Sequence, residues 1–148
     1  MYFRIFVVLL LLVPVAFGQY ALQFDQANSD YVRVADNQTL DFTTNAWTIE
    51  GWFYFEETQA RQGIISKRTE EQVEFTLWLG PSGPNKTILG DVGFSGGYAQ
   101  FADLEPDIWY NFAFQYDGDG NTTLYVNGEN VDETEVNEPQ LLNADLNI

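Results

Sequence analysis

A chain of 148 residues with 22 Asp and Glu against six Lys and Arg carries a formal charge of −16. Such a surface repels phosphate backbones and anionic headgroups, so nucleic acids and membrane surfaces are poor partners. The absence of His and Cys removes the Ser–His–Asp triad, the thiol nucleophile and the ordinary zinc site, leaving only carboxylate or Lys chemistry, with or without an oxygen-ligated metal.

The first 18 residues read as an export leader. Arg4 supplies the charge, residues 5–13 are an unbroken apolar run, Pro14 breaks it, and small residues at Ala16 and Gly18 set cleavage between Gly18 and Gln19. The run is shorter than the ~20 residues a membrane-spanning helix needs. The mature chain is expected outside the cell, secreted or at the cell surface, as one domain over residues 19–148.

From there on the punctuation is that of strands. Residues 20–24 and 31–34 are short strands around a polar loop, and residues 40–42 are a brief apolar touch-down. Residues 47–55 are apolar on both alternating sets, which predicts a mid-sheet strand with both faces covered, or with one face serving a ligand. Residues 63–67, 73–79, 88–94 and 98–101 continue the pattern, with turns at 68–72, 81–85 and 95–97. Residues 56–62 allow one helical turn and no more. Tyr110, Phe112, Phe114 and Tyr116 stand two apart on one strand face, and Asp117-Gly-Asp-Gly120 turns the chain into a strand at residues 122–126. Asn127-Gly128 is the strongest short hairpin signal, since a type I′ turn needs positive φ at both central positions. Roughly ten short strands without a helical period predict an all-β antiparallel sandwich of the jelly-roll kind. Asp145-Leu-Asn-Ile148 reads as the start of a further strand. The sandwich is therefore expected to be C-terminally incomplete, with exposed edges that promote aggregation.

Several constellations invite chemistry. Gly80-Pro-Ser-Gly-Pro-Asn-Lys-Thr87 is one residue from a phosphate-binding loop, but Pro81 and Pro84 remove amide donors, so it reads as a hairpin loop. Asp117, Asp119 and Asn121 have the spacing of the first oxygen ligands of a calcium loop. Thr122 replaces its glycine and Gly128 its closing Glu, so calcium would need a distant acid such as Asp91 or Asp103. Glu50 has no carboxylate at i+2 or i+4, because Trp52 and Tyr54 fill those places; it reads as structural, not as half of a glycosidase pair. Trp52, Tyr54 and Trp78 are candidate sugar-stacking aromatics. Asn37, Asn85 and Asn121 fit the N-glycosylation pattern, which matters in a eukaryotic source.

Taken in order, Ala21-Leu-Gln-Phe-Asp25, Asp30-Tyr-Val-Arg-Val34, Trp47-Thr-Ile-Glu-Gly-Trp52, Gly63-Ile-Ile-Ser-Lys67, Phe75-Thr-Leu-Trp-Leu79, Trp109-Tyr-Asn-Phe-Ala113 and Leu124-Tyr-Val-Asn-Gly128 resemble the strands of laminin-G-like jelly-roll domains in the concanavalin A-like lectin/glucanase superfamily. The resemblance implies a non-catalytic extracellular module that binds glycans or other proteins, in some members through rim calcium. It also implies a closing strand rich in Asp, Glu and aromatic residues, which is missing here. The E-x-D-x-x-E strand of the family's glucanases is absent, so their chemistry does not carry over. The alternative is an N-terminal accessory domain, carbohydrate-binding, of a larger secreted carbohydrate-active enzyme.

Overall fold

The computed structural model describes residues 21–42, 45–57, 60–82, 85–93 and 97–148. The expected export leader with its expected Gly18–Gln19 cleavage, and Tyr20, lie outside them. The chain forms two compact units, one ending at Asp30 and one spanning Tyr31–Ile148.

In the first unit, residues 21–24 of the strand expected over 20–24 form no strand, and a 3₁₀ turn follows at Gln26–Asn28. A strand exists only as one side of a ladder, and residues 21–24 have no ladder partner among the described residues. Turn chemistry prevails instead: the Asp25 carboxylate accepts from the Ala27 amide at 2.8 Å, and the Asp30 carboxylate accepts from the Asp25 amide at 3.1 Å.

The second unit is an antiparallel sandwich. Its strands are β1 (Arg33–Val34), β2 (Trp47–Phe53), β3 (Gln62–Arg68), β4 (Val73–Ser82), β5 (Asn85–Val92), β6 (Ala99–Leu104), β7 (Tyr110–Tyr116), β8 (Asn121–Val126), β9 (Glu129–Glu135) and β10 (Leu146–Asn147). One sheet has six strands in the order β1-β10-β3-β4-β5-β6, the other four in the order β2-β7-β8-β9. Strict alternation builds the core between them. Phe75, Leu77 and Leu79 of β4 and Ile88 and Val92 of β5 meet Phe112 and Phe114 of β7 and Leu124 and Val126 of β8. Each such side chain contributes about 1.5–3 kcal/mol by leaving water. The jelly-roll sandwich read from the spacing is the fold observed. The Asn127-Gly128 turn has the positive φ expected of it, 53° and 81°. Residues 40–42 touch down as foreseen, just after a 3₁₀ turn at Gln38–Leu40: Phe42 packs edge-on to Trp47 and Phe75.

Two placements differ from expectation. β2 is an edge strand of the four-stranded sheet, with one face buried and Thr48, Glu50 and Trp52 exposed on the other. Both of its residue sets carry an aromatic, but only the set containing Trp47, Ile49 and Phe53 faces the opposite sheet, so Trp52 is left in water. The terminal Leu146-Asn147 does form a strand, and it lies inside the six-stranded sheet, hydrogen-bonded to both β1 and β3. Paired amides at Val32 and Ile148 extend this ladder, and an Arg33–Asp145 ion pair flanks it. The helical turn allowed over residues 56–62 falls partly outside the described residues, and β3 already begins at Gln62.

An ionic cluster closes one end of the core. The Lys67 ammonium, fully buried, contacts Asp41 at 2.5 Å, Glu74 at 3.2 Å, Asp36 at 3.4 Å and the Leu40 carbonyl at 3.2 Å. Glu74 stands where β4 slips register against β3, and it also accepts the Phe42 and Leu142 amides. Burial pulls the Lys67 pKa down, but Asp41 and Glu74 outweigh it and hold the ammonium above its ordinary value. Burial pushes the Glu74 carboxyl up in spite of its donors. The chain's other lysine, Lys86, is buried as well. Its ammonium donates to the Ala60 carbonyl at 2.5 Å, and burial lowers its pKa.

Candidate ligand-binding surfaces

The three aromatics singled out in the sequence lie on two different faces. Trp52 and Tyr54 point outward from the four-stranded sheet, because Phe53 and Phe55 between and beside them are buried in the core. β7 runs antiparallel to β2 with Trp52 opposite Asn111 and Phe53 opposite Tyr110, so the residue before Tyr110 reaches the same outer face. That residue is Trp109, whose ring lies 5.6 Å from the Tyr54 ring. Trp52 is 66% exposed, Trp109 51% and Tyr54 43%.

Polar groups fix this patch in place. The Tyr54 hydroxyl donates to the Asp107 carboxylate at 2.9 Å, which raises the phenol pKa, and the Asp107 amide donates to the Phe55 carbonyl. The Asn111 side chain donates to the Gly51 carbonyl at 3.0 Å. The result is an exposed aromatic strip with carboxylate and amide groups at its border. Trp109 and Asp107 are missing from the sequence-derived set. Trp109 was legible in principle: its parity is opposite to that of Tyr110–Tyr116, which puts it outside once that face is taken as core.

Trp78 belongs to the outer face of the six-stranded sheet. Phe75, Leu77 and Leu79 point into the core, so Thr76 and Trp78 point away from it. Gly80 makes room for the indole: a Cβ there would lie 2.8 Å from the Trp78 ring. The indole is not a free stacking surface. The Arg61 guanidinium lies 3.8 Å from its centroid, and Tyr98 meets it edge-on at 6.2 Å. Beside this pair is a cleft of about 360 Å³, also lined by Arg68, Thr76 and Asp91.

The proposed calcium ligands serve a turn. One oxygen of Asp117 accepts the amides of Asp119 (2.7 Å) and Asn121 (3.0 Å), and the other accepts the Asn121 side chain at 2.7 Å. These donors hold the Asp117 carboxyl below its ordinary pKa. Asp91 and Asp103 lie in β5 and β6 of the other sheet, and no cluster of three metal-ligating side chains occurs among the described residues. Glu50 is exposed on the outer face of β2, opposite Ala113. The Gly80–Thr87 segment is the β4–β5 hairpin, with Ser82 paired to Asn85.

The glycosylation candidates differ in setting. Asn37 is exposed and caps the 3₁₀ turn by accepting from the Thr39 amide at 2.9 Å; Asn121 is half-buried on Asp117, and Asn85 is half-buried at the start of β5.

No curated protein matches the sequence. Among solved structures, the chain is similar to the binding domain of Paraclostridial Mosquitocidal Protein 1, at 14% identity and a TM-score of 0.61, over 80% of this chain and 32% of that one. It thus spans about a third of that neighbour's length. A laminin G family model, described as the concanavalin A-like lectin/glucanases superfamily, matches residues 26–148. The chain belongs to the concanavalin A-like lectin/glucanase superfamily, as a laminin G-like domain.

Proposed function

We propose that this chain is a secreted, non-catalytic module that binds glycans through the aromatic strip of Trp52, Tyr54 and Trp109. The observation that carries the reading is the exposure of two indoles and a phenol on one sheet face, held by Asp107 and Asn111 and not packed into the core. Sugar rings present flat C–H faces to aromatic rings and hydroxyls to carboxylates and amides, so such a strip offers both halves of the contact. The structural neighbour is itself a binding domain, which supports a binding role. A non-catalytic role is supported by Glu50, which pairs with Ala113 of β7 and has Thr48 and Trp52 beside it on β2, with no second carboxylate at those positions.

Glycan-array screening of the chain tests the reading. Binding is expected, and Trp52→Ala or Trp109→Ala should weaken it at least about tenfold with the melting temperature preserved. Absence of any glycan ligand across a broad array, or binding unchanged in the double variant, would overturn it.

A further inference from the structure

The described residues hold five cationic side chains, and three are already committed. Lys67 is buried among carboxylates, Lys86 is buried on a backbone carbonyl, and Arg33 is paired with Asp145. The remaining two, Arg61 and Arg68, form no ion pair among the described residues, although the chain carries 22 acidic residues. Both line the cleft of about 360 Å³ on the outer face of the six-stranded sheet. A ligand site typically spans roughly 300–1,000 Å³.

The geometry of Arg61 says what kind of group it suits. Stacked on the Trp78 indole, its guanidinium has one face covered while its N–H donors remain directed in its own plane. A flat fork of donors held in this way matches a carboxylate, which accepts two parallel hydrogen bonds. Arg68 spends its Nε on the Thr69 carbonyl at 3.2 Å and keeps its terminal nitrogens for a second contact. The single carboxylate in the cleft, Asp91, is buried and engaged in interactions of its own. The rest of the lining combines the hydroxyls of Thr76 and Tyr98 with the apolar surfaces of Val73 and the Trp78 indole, and so suits a sugar ring, which offers both hydroxyls and C–H faces.

We propose that this cleft binds the carboxylate of a uronic-acid saccharide, with Arg61 and Arg68 as the residues that recognise it. The proposal rests on the reading of the chain as a glycan-binding module, but it concerns the face opposite the aromatic strip. Titration of the full chain with trigalacturonate is expected to show binding, and the methyl-esterified trimer, equal in shape but neutral, should bind at least about tenfold more weakly. Arg61→Gln and Arg68→Gln should each cost a similar factor with unchanged melting. Arg61→Lys keeps the charge but loses the planar fork, and should also weaken binding severalfold. As a readout that needs no variant, the Arg61 and Arg68 Nε–H resonances should shift with trigalacturonate in the wild-type chain. Equal binding of the ester, of sulfated dextran or of polyglutamate would overturn the proposal, as would an Arg61→Lys variant that binds normally. Failure of trigalacturonate while neutral glycans still bind through Trp52 and Trp109 would sink this inference alone; failure of both would sink the module reading with it.

Discussion

Lys67 holds together parts of the chain that no strand joins. Its ammonium reaches the connection before β2 through Asp36, Asp41 and the Leu40 carbonyl, and Glu74 beside it pins the amides of Phe42 and Leu142. Replacing Lys67 with Met would leave the fully buried Glu74 without its cation, so that it either holds an uncompensated charge or takes up a proton. Removing one partner of a buried pair costs about 3–5 kcal/mol, far more than an exposed pair such as Arg33–Asp145 contributes. Urea unfolding of Lys67→Met should therefore show a loss in that range, with Arg33→Met losing at most about 1 kcal/mol. A Lys67→Met variant of wild-type stability would mean that the cluster is solvated. None of this was legible in sequence. A lysine in an apolar strand does not announce three carboxylates drawn from as far as 31 residues upstream and seven downstream.

At the scale of the element, local rules performed well wherever the determinant was local. The two-residue period of Tyr110–Tyr116 fixes which side chains enter the core, and the Asn-Gly pair fixes the β8–β9 turn. Asn127 does more than tolerate its positive φ: its side chain accepts the Asn111 amide at 3.0 Å, and its own amide donates to the Asn111 carbonyl at 2.9 Å. Asn127→Ala should cost about 1–2 kcal/mol, since Ala resists the left-handed region and cannot accept from Asn111. Asn127→Gly should restore the conformational part only, so thermal unfolding is expected to rank wild type above Gly above Ala. Equal melting of all three would contradict this account. Sheet position was the part not legible in this way. Whether a strand lies at an edge or in the middle depends on partners far away in sequence, so the pattern of residues 47–55 reads as a mid-sheet strand and residues 145–148 only as the start of one. The Arg61–Trp78 stack is non-local for the same reason.

The whole molecule is a strongly anionic body, with charge distributed unevenly. β9, an edge strand of the four-stranded sheet, carries Glu129, Asp132, Glu133 and Glu135, which discourages edge-to-edge pairing with another chain. A net charge of −16 also repels itself within the compact state. Raising NaCl from 0.01 M to 0.3 M shortens the screening length from about 30 Å to well under 10 Å. Stability should rise by about 1 kcal/mol, seen as a melting temperature roughly 4 °C higher. A melting temperature that stays flat or falls with salt would show that ion pairs outweigh the repulsion.

The burial of both lysines also decides how the protein can be handled. With Lys67 and Lys86 enclosed, the folded surface presents no side-chain amine. Amine-directed esters, aldehyde cross-linkers and coupling resins should therefore react with the native body at its terminal α-amine and reach the two lysines only after denaturation. The extent of labelling at Lys67 and Lys86 would then serve as a direct counter of unfolded molecules, while the guanidinium groups at the surface stay untouched.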